Sequence, residues 1–309
     1  MQTHRPTWCV TNLDKLTYSG NLHNLSGIDP SRYTFVKGDV CDGELVERIL
    51  LEHEIDTIVH MAAESHVDRS LMDAKPFYQT NVIGTQTIVD ALRRTQLHTG
   101  RNIRMVYVST DEVYGSLTLN QPELKFIETM PLQPNSPYAA SKTGGDLVVL
   151  AAQHTFNLDL LITRCSNNFG PYQHPEKLIP RFISNLMNGQ PVPLYGDGLN
   201  VRDWLHVDDH VEAIIAVLEK GLAGQVYNIG GNNERTNLEL THTILNIMGL
   251  DSNMIRTVPD RLGHDRRYAI DATKISKELG WTPSRSTWPK ALVETVHWYQ
   301  THKDWLEQI

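Results

Sequence analysis

The run Ser109-Thr110-Asp111-Glu112-Val113-Tyr114-Gly115 sets a hydroxyl and two carboxylates side by side, and Pro137-Tyr138-Ala139-Ala140-Ser141-Lys142 follows further along. These residue types suit chemistry that moves protons and expels a hydroxyl around one reacting centre. Tyr138 and Lys142 are four apart, a spacing that places both on one face of a helix. A free phenol titrates near pH 10, so only about one tyrosine in a thousand is ionised at neutrality. A lysine ammonium on the same face favours the phenolate, and a shift of about three units corresponds to about 4 kcal/mol. Of two adjacent carboxylates, one holds its proton more tightly because like charges resist sharing a site. Two carboxylates with no cation beside them suit an elimination better than a structural ion pair.

These groups need a scaffold. Residues 104–108 form a short β-rich run, so a strand delivers Thr110, Asp111 and Glu112 at its C-terminal end, where open α/β sheets bind ligands. Further strands are predicted over 8–13, 33–37, 56–62 and 160–164, with helices over 42–54, 76–97 and 137–156. The alternation predicts an α/β fold built on a doubly wound, parallel, Rossmann-type sheet. From Phe169 onward, Pro171, Pro175, Pro180, Pro191 and Pro193 punctuate short elements. The expected division is a dinucleotide-binding domain over 1–170, rejoined by 205–230, and a smaller C-terminal substrate-binding lobe over 171–309.

With 309 residues, the chain is long enough for a sizeable core. Its net charge of −8 argues against a nucleic-acid partner, which needs a broad basic surface. No apolar run approaches the roughly 18 residues of a membrane span, and no signal-peptide pattern opens the sequence. Cys9, Cys41 and Cys165 are scattered and odd in number, as expected of reduced thiols in a cytoplasmic protein. His206-Val207-Asp208-Asp209-His210 mimics a metal-ligand spacing, but a helix N-terminus with acidic first-turn residues explains it better, and no metal is expected.

A dinucleotide fold opens with strand, glycine turn and helix, followed about 20 residues later by an acidic residue. Asp14 is the natural ribose-binding carboxylate, yet none of the residues before it is glycine. Gly144-Gly145 lies inside a predicted helix, and Gly196-Asp197-Gly198 does not join a strand to a helix. The first βα unit is therefore expected to be missing from these residues, most simply through a start codon assigned too late. A truncated chain with impaired NAD binding and little activity is the rival expectation.

Four stretches now coincide: Asp14-Lys15-Leu16-Thr17-Tyr18, Ala62-Ala63-Glu64-Ser65-His66-Val67-Asp68, the Thr-Asp-Glu run and Tyr-x-x-x-Lys. With Ser166-Asn167-Asn168-Phe169-Gly170-Pro171-Tyr172, Pro175 to Pro180, Gly196 to Trp204 and Asp260 to Tyr268 added, the chain resembles the dTDP-glucose 4,6-dehydratases of the extended short-chain dehydrogenase/reductase superfamily. The likeness runs from about residue 9 to about residue 300. It fails only where the family's Gly-x-x-Gly-x-x-Gly element belongs.

The resemblance implies NAD-dependent dehydration of a nucleotide-linked glucose, dTDP-glucose first among them. Thr110, Asp111, Glu112, Tyr138 and Lys142 are the implied catalytic residues, with Glu112 the base at C5 and Asp111 the acid for the C6 hydroxyl. NAD is assigned to Asp14, Lys15, Leu16 and Thr17 at the ribose, Asp39 and Val40 at the adenine, and Ala62 and Ala63 along the middle. Thr80 and Asn168 take the nicotinamide end, and Lys142, beside Tyr138, also bonds the nicotinamide ribose. Asp14, standing where NADP enzymes carry an Arg, favours NAD. Substrate contacts fall to Ser65, Thr110, Asn167, Lys177, Leu178 and Asn237, with Pro193 to Tyr195 against the pyrimidine. Arg202 and His264 take the diphosphate, since arginine offers bidentate geometry to phosphate. Arg261, Arg266 and Arg267 crowd the same stretch, the last two equally well read as a solvated basic turn. A homodimer through the helices over 76–97 and 137–156 is also implied. Related 4-epimerases and decarboxylases share Tyr-x-x-x-Lys but usually lack the Asp-Glu pair.

Overall fold

The computed structural model of the protein describes Arg5 and residues 7–307. Two units are distinguished. One comprises the chain through Val113, Pro131–Arg164 and Ile214–Tyr227; the other comprises Tyr114–Met130, Cys165–Ala213 and the chain from Asn228 onward.

In the first unit, β1 (Val10–Asp14) and β2 (Tyr33–Lys37) pair in parallel, with Asp14 opposite Lys37. Helix α1 (Gly43–Glu52) begins where the Asp42 side chain accepts from the Leu45 amide, an N-cap typically worth about 1 kcal/mol. Strand β3 (Thr57–His60) precedes two short helices, α2 (Val67–Met72) and α3 (Lys75–Tyr78). A π-helical turn, Gln79–Gly84, leads into α4 (Thr85–Thr99). Then come β4 (Arg104–Thr110), α5 (Pro137–Phe156) and β5 (Leu160–Cys165). β3 and β4 are parallel and belong to a sheet of order β3-β4-β5-β9, where β9 is Val226–Ile229.

This sheet is split. β1 and β2 form their own two-stranded sheet, not hydrogen-bonded to the four-stranded one. A doubly wound sheet has spatial order 3-2-1-4-5-6. Read onto that order, β1 and β2 take the places of strands 2 and 3, and β3, β4 and β5 those of strands 4 to 6. Apolar packing nonetheless ties the halves together. Val46 and Leu50 of α1, Ile88 and Leu92 of α4, and Met105 and Ile162 of the sheet share one buried core, against which Leu13 also packs.

Helix α5 starts at Ser136, whose side chain accepts from the Ala139 amide, with Pro137 preset for the first turn. It ends at Asn157 in the left-handed region, φ 51°. Gly145 lets it lie directly on β4: a Cβ there would sit 2.1 Å from the Tyr107 hydroxyl. That close approach carries the Tyr138–Lys142 face onto the strand bearing Thr110.

The second unit contains β6 (Asn167–Phe169), α6 (Leu178–Met187), β7 (Val192–Tyr195) and β8 (Val201–His206). Helix α7 (Val207–Lys220) starts in this unit, and β10 (Glu234–Thr236), α8 (Asn237–Ile247) and β11 (Ile255–Val258) complete the part that matters below. β8 pairs in parallel with β6 and antiparallel with β10, while β7 pairs in parallel with β11. Phe182, Ile183, Trp204, Leu240 and Ile244 lie in its core.

The boundary drawn from sequence needs adjustment. Residues 114–130 belong with the second unit, because Leu117 and Phe126 amides donate to Arg267 and Ala269 carbonyls. The segment that rejoins the first unit is Ile214–Tyr227, shorter than 205–230. The helix predicted over 76–97 is interrupted by the π turn.

Candidate active site

β4 ends in Thr110, and the chain tightens at once into a 3-10 turn, Asp111–Tyr114. The Thr110 hydroxyl donates to Asp111 Oδ1 at 3.3 Å and accepts from the Glu112 amide at 3.3 Å. Thr110 is 8%, Asp111 1%, Tyr138 9% and Lys142 3% exposed, whereas Glu112 is half-buried. Asp111 is thus the more sheltered of the two adjacent carboxylates.

Lys142 Nζ donates to the Val108 carbonyl at 2.8 Å and lies 4.3 Å from the Tyr107 ring centre. The ammonium is therefore fixed two residues before Thr110, and all five catalytic candidates lie in the first unit. Tyr138 packs edge-on against Phe77, ring centres 6.4 Å apart, and its amide donates to Ser70 Oγ.

Sequence reasoning missed the polar framework behind these residues. Asn81, fully buried in the π turn, accepts from the Glu64 amide at 2.9 Å and donates to the Glu64 carbonyl at 3.0 Å and Ser141 Oγ at 2.8 Å. It clamps the segment after β3 to α5, and the extra residue of the π turn aims it there. Asn81 lies among Gln79, Thr80 and other polar residues of an amphipathic stretch, so no sequence signal set it apart. One turn beyond Lys142, Asp146 and Arg164 form a fully buried ion pair at 2.8 Å. Burial pushes the Asp146 carboxyl up, and the Arg164 charge opposes it.

His60 Nε2 lies 3.0 Å from Thr85 Oγ1, whose hydroxyl donates to the Asn81 carbonyl. Burial, and secondly the charge of Lys142, lowers the His60 pKa to about 3. The unfolded chain, with histidine near 6.5, thus binds the extra proton between about pH 6.5 and 3, and stability drops as pH falls through that window. His210, lowered to about 4 by burial, acts in the same direction. We expect the melting temperature to fall on acidification, and His60→Gln to flatten part of that fall. An equally steep acid loss in the variant contradicts this assignment.

The NAD candidates mostly follow strand ends. Asp14 closes β1, and its carboxylate accepts from the Leu16 amide at 2.6 Å, Leu16 holding φ 54°. Lys15 pairs with Asp39 at 2.6 Å, Val40 is buried, and Thr17 is exposed. Ala62 and Ala63 follow β3, and Thr80 lies in the π turn. Asn168, in the second unit, has its amide oriented by Ser166 O at 3.0 Å and by His210 Nδ1 at 2.9 Å. With His210 neutral, its Nδ1–H donates to Asn168 Oδ1. Within the first unit, the carboxylate that ends β1 is of a kind that could hold a ribose hydroxyl. No glycine turn with a helix N-terminus follows β1 among the described residues, so the expected pyrophosphate cradle is not among them.

Among the substrate candidates, Ser65 is half-buried between β3 and α2. The second unit gathers Tyr195, Arg202, Asn237 and His264. The Arg202 guanidinium, 5% exposed, donates to the Asp265 carbonyl at 3.0 Å and covers the Tyr268 ring. The Asn237 amide donates to Asn200 O, whose own side chain reaches Asp265 O. Tyr195 lies edge-on to His264, ring centres 6.2 Å apart, and Pro193 precedes it on β7. The buried acceptors Asn167 Oδ1 and Asn237 Oδ1 have no hydrogen-bond partner among the described residues. Such groups cost about 1–3 kcal/mol each unless a ligand or water meets them. Lys177 and Leu178 stand at the start of α6, Lys177 3.7 Å from Glu176 and Leu178 against the unit's core.

The two arginines of the basic pair differ: Arg266 stays at the surface, whereas Arg267 is buried. Arg266 is held by both oxygens of Asp197 at 2.9 Å. Arg267, 3% exposed, bonds Glu234 and the carbonyls of Gln121, Pro122 and Leu124. Asp209, in the supposed metal motif, instead accepts from the amides of Ser284, Arg285 and Ser286.

A family model described as GDP-mannose 4,6 dehydratase matches residues 1–290. The dTDP-glucose 4,6-dehydratase of Streptomyces niveus is 53% identical over 301 residues, covering 97% of this chain and 86% of its own. The crystal structure of dTDP-glucose 4,6-dehydratase from Bacillus anthracis in complex with NAD matches with a TM-score of 0.91 at 47% identity, covering 100% of this chain and 93% of that one. The Streptomyces venezuelae dTDP-glucose 4,6-dehydratase, also with NAD bound, gives 0.92 at 50% identity over 99% and 92%. The chain belongs to the dTDP-glucose 4,6-dehydratases, a family with the extended short-chain dehydrogenase/reductase fold.

Proposed function

We propose that the chain converts dTDP-glucose to dTDP-4-keto-6-deoxyglucose with NAD as its cofactor. One observation carries the reading: Lys142 Nζ is anchored to Val108 O, so the Tyr138–Lys142 face meets the strand that ends in Thr110, Asp111 and Glu112. Epimerisation needs only the first pair. Dehydration needs the two carboxylates as well.

The C5–H bond of glucose is too weakly acidic for direct proton removal, so C4 must first become a ketone. NAD, when bound, supplies the reversible hydride store that makes this possible. Tyr138 takes the O4 proton as phenolate, favoured by the Lys142 charge. Thr110 donates to O4 as it gains carbonyl character. Glu112 removes the C5 proton, the C6–O bond breaks, and Asp111 gives its proton to the leaving hydroxyl as water departs. The hydrogen first taken from C4 closes the reaction at C6, and C5 is reprotonated.

Arg202 and His264 take the diphosphate in this account, with Asn167, Lys177, Leu178 and Asn237 at the nucleotide sugar and Pro193 and Tyr195 at the pyrimidine. Ser65 meets the hexose. We also read the chain as a cytoplasmic homodimer. Exposed Ile83, Leu97, Leu147 and Phe156 support packing of the π turn, α4 and α5 against a second copy. No helix among the described residues is long and apolar enough to cross a membrane.

Incubation with dTDP-glucose at saturating NAD should yield a product lighter by one water, with UDP-glucose converted more slowly. A mass-neutral conversion would overturn dehydration in favour of epimerisation.

A further inference from the structure

We propose that Asp260 is a positioning residue that makes His264 a proton-dependent clamp for the substrate's diphosphate, so that nucleotide binding is coupled to proton uptake. The inference rests on the assignment of His264 to the diphosphate. Asp260 Oδ1 receives the Arg261 amide at 2.9 Å and lies 2.6 Å from His264 Nδ1. The carboxylate is thus fixed by the backbone before it meets the ring. It also packs on Gly196, φ 56°, where a Cβ would come within 3.2 Å of its Cβ, Cγ and Oδ2. A side chain at residue 196 would have to displace it. With Nδ1 committed to Asp260, Nε2 is the ring nitrogen left for a ligand.

The charges facing His264 are Asp260 on its own loop, Arg202 on β8 and Arg261, with the Tyr195 ring at its edge. Arg266 nearby is already neutralised by Asp197. Burial lowers the imidazole pKa, Arg202 and Arg261 push the same way, and Asp260 opposes all three. The unliganded ring is therefore mostly neutral above neutrality. A bound diphosphate brings two or more negative charges beside it, and with Asp260 behind the ring, imidazolium becomes the favoured form.

The test is calorimetric titration of thymidine diphosphate into the 309-residue chain at mildly alkaline pH, in buffers of different ionisation enthalpy. The wild type should take up a substantial fraction of a proton on binding. Asp260→Asn, which keeps an acceptor for Nδ1–H but removes the charge, should lose most of that uptake and weaken binding about three- to tenfold. Asp260→Glu should recover both. Unchanged proton uptake in Asp260→Asn overturns the proposal. His264→Asn separates the two claims: wild-type affinity in that variant sinks the diphosphate assignment itself, whereas weakened binding with uptake intact in Asp260→Asn sinks only the role of Asp260. Melting curves of each variant confirm that folded protein is being compared.

Discussion

Asp111→Asn should cut formation of the 4-keto-6-deoxy sugar by about 10²–10⁴-fold, the usual contribution of a positioned acid, while C5–H exchange with deuterated solvent continues. Asp111 is 1% exposed and bonded by the Thr110 hydroxyl, so an amide of the same shape fits without repacking. On the proposed roles, the variant keeps Tyr138, Lys142 and Glu112 for oxidation at C4 and proton removal at C5. It lacks only the proton for the leaving hydroxyl. Glu112→Gln should behave differently and lose exchange and product together. Unchanged turnover in Asp111→Asn would remove that residue from the mechanism, and loss of exchange would move it to the C5 step.

The second large effect concerns the cofactor. A polypeptide of these 309 residues should bind NAD about 10²–10⁴-fold more weakly than the same chain carrying a strand, a Gly-x-x-Gly-x-x-Gly turn and a helix ahead of Trp8. Hydrogen bonds to charged groups contribute about 1.5–3 kcal/mol each. Two such bonds to the pyrophosphate, given up with a glycine turn and helix N-terminus, amount to about 3–6 kcal/mol, which is that range of affinity. In the 3-2-1-4-5-6 order an added strand would stand between the β1 and β3 of this chain. Calorimetry with NAD alone measures the difference. Equal affinities would show that other groups carry the pyrophosphate.

Local patterns in the sequence were sufficient for much of this architecture. The strand over 33–37 and the helix over 137–156 have the bounds their patterns predict. The five catalytic candidates were legible because two short motifs contain all of them, and Gly145 needed only the fold to show why α5 touches β4. What the sequence hid depends on distant partners. The helix over 76–97 breaks into a π turn because Asn81 must reach Glu64, a residue outside the helix. Residues 114–130 leave the first unit because their backbone partners are residues 267–271. Arg267 reads as solvated beside Arg266, yet three carbonyls and Glu234 bury it. Asp146 with Arg164, and Asp260 with His264, carry no motif that marks them as pairs.

The central claim is that one set of residues joins oxidation at C4 to loss of water across C5 and C6. Its most direct test follows the C4 hydrogen in a mixture of C4-deuterated and unlabelled dTDP-glucose at saturating NAD. Transfer within one molecule predicts deuterium at C6 of the product from labelled substrate and none in product from unlabelled substrate. Deuterium retained at C4, or scrambled into the unlabelled pool, would contradict it.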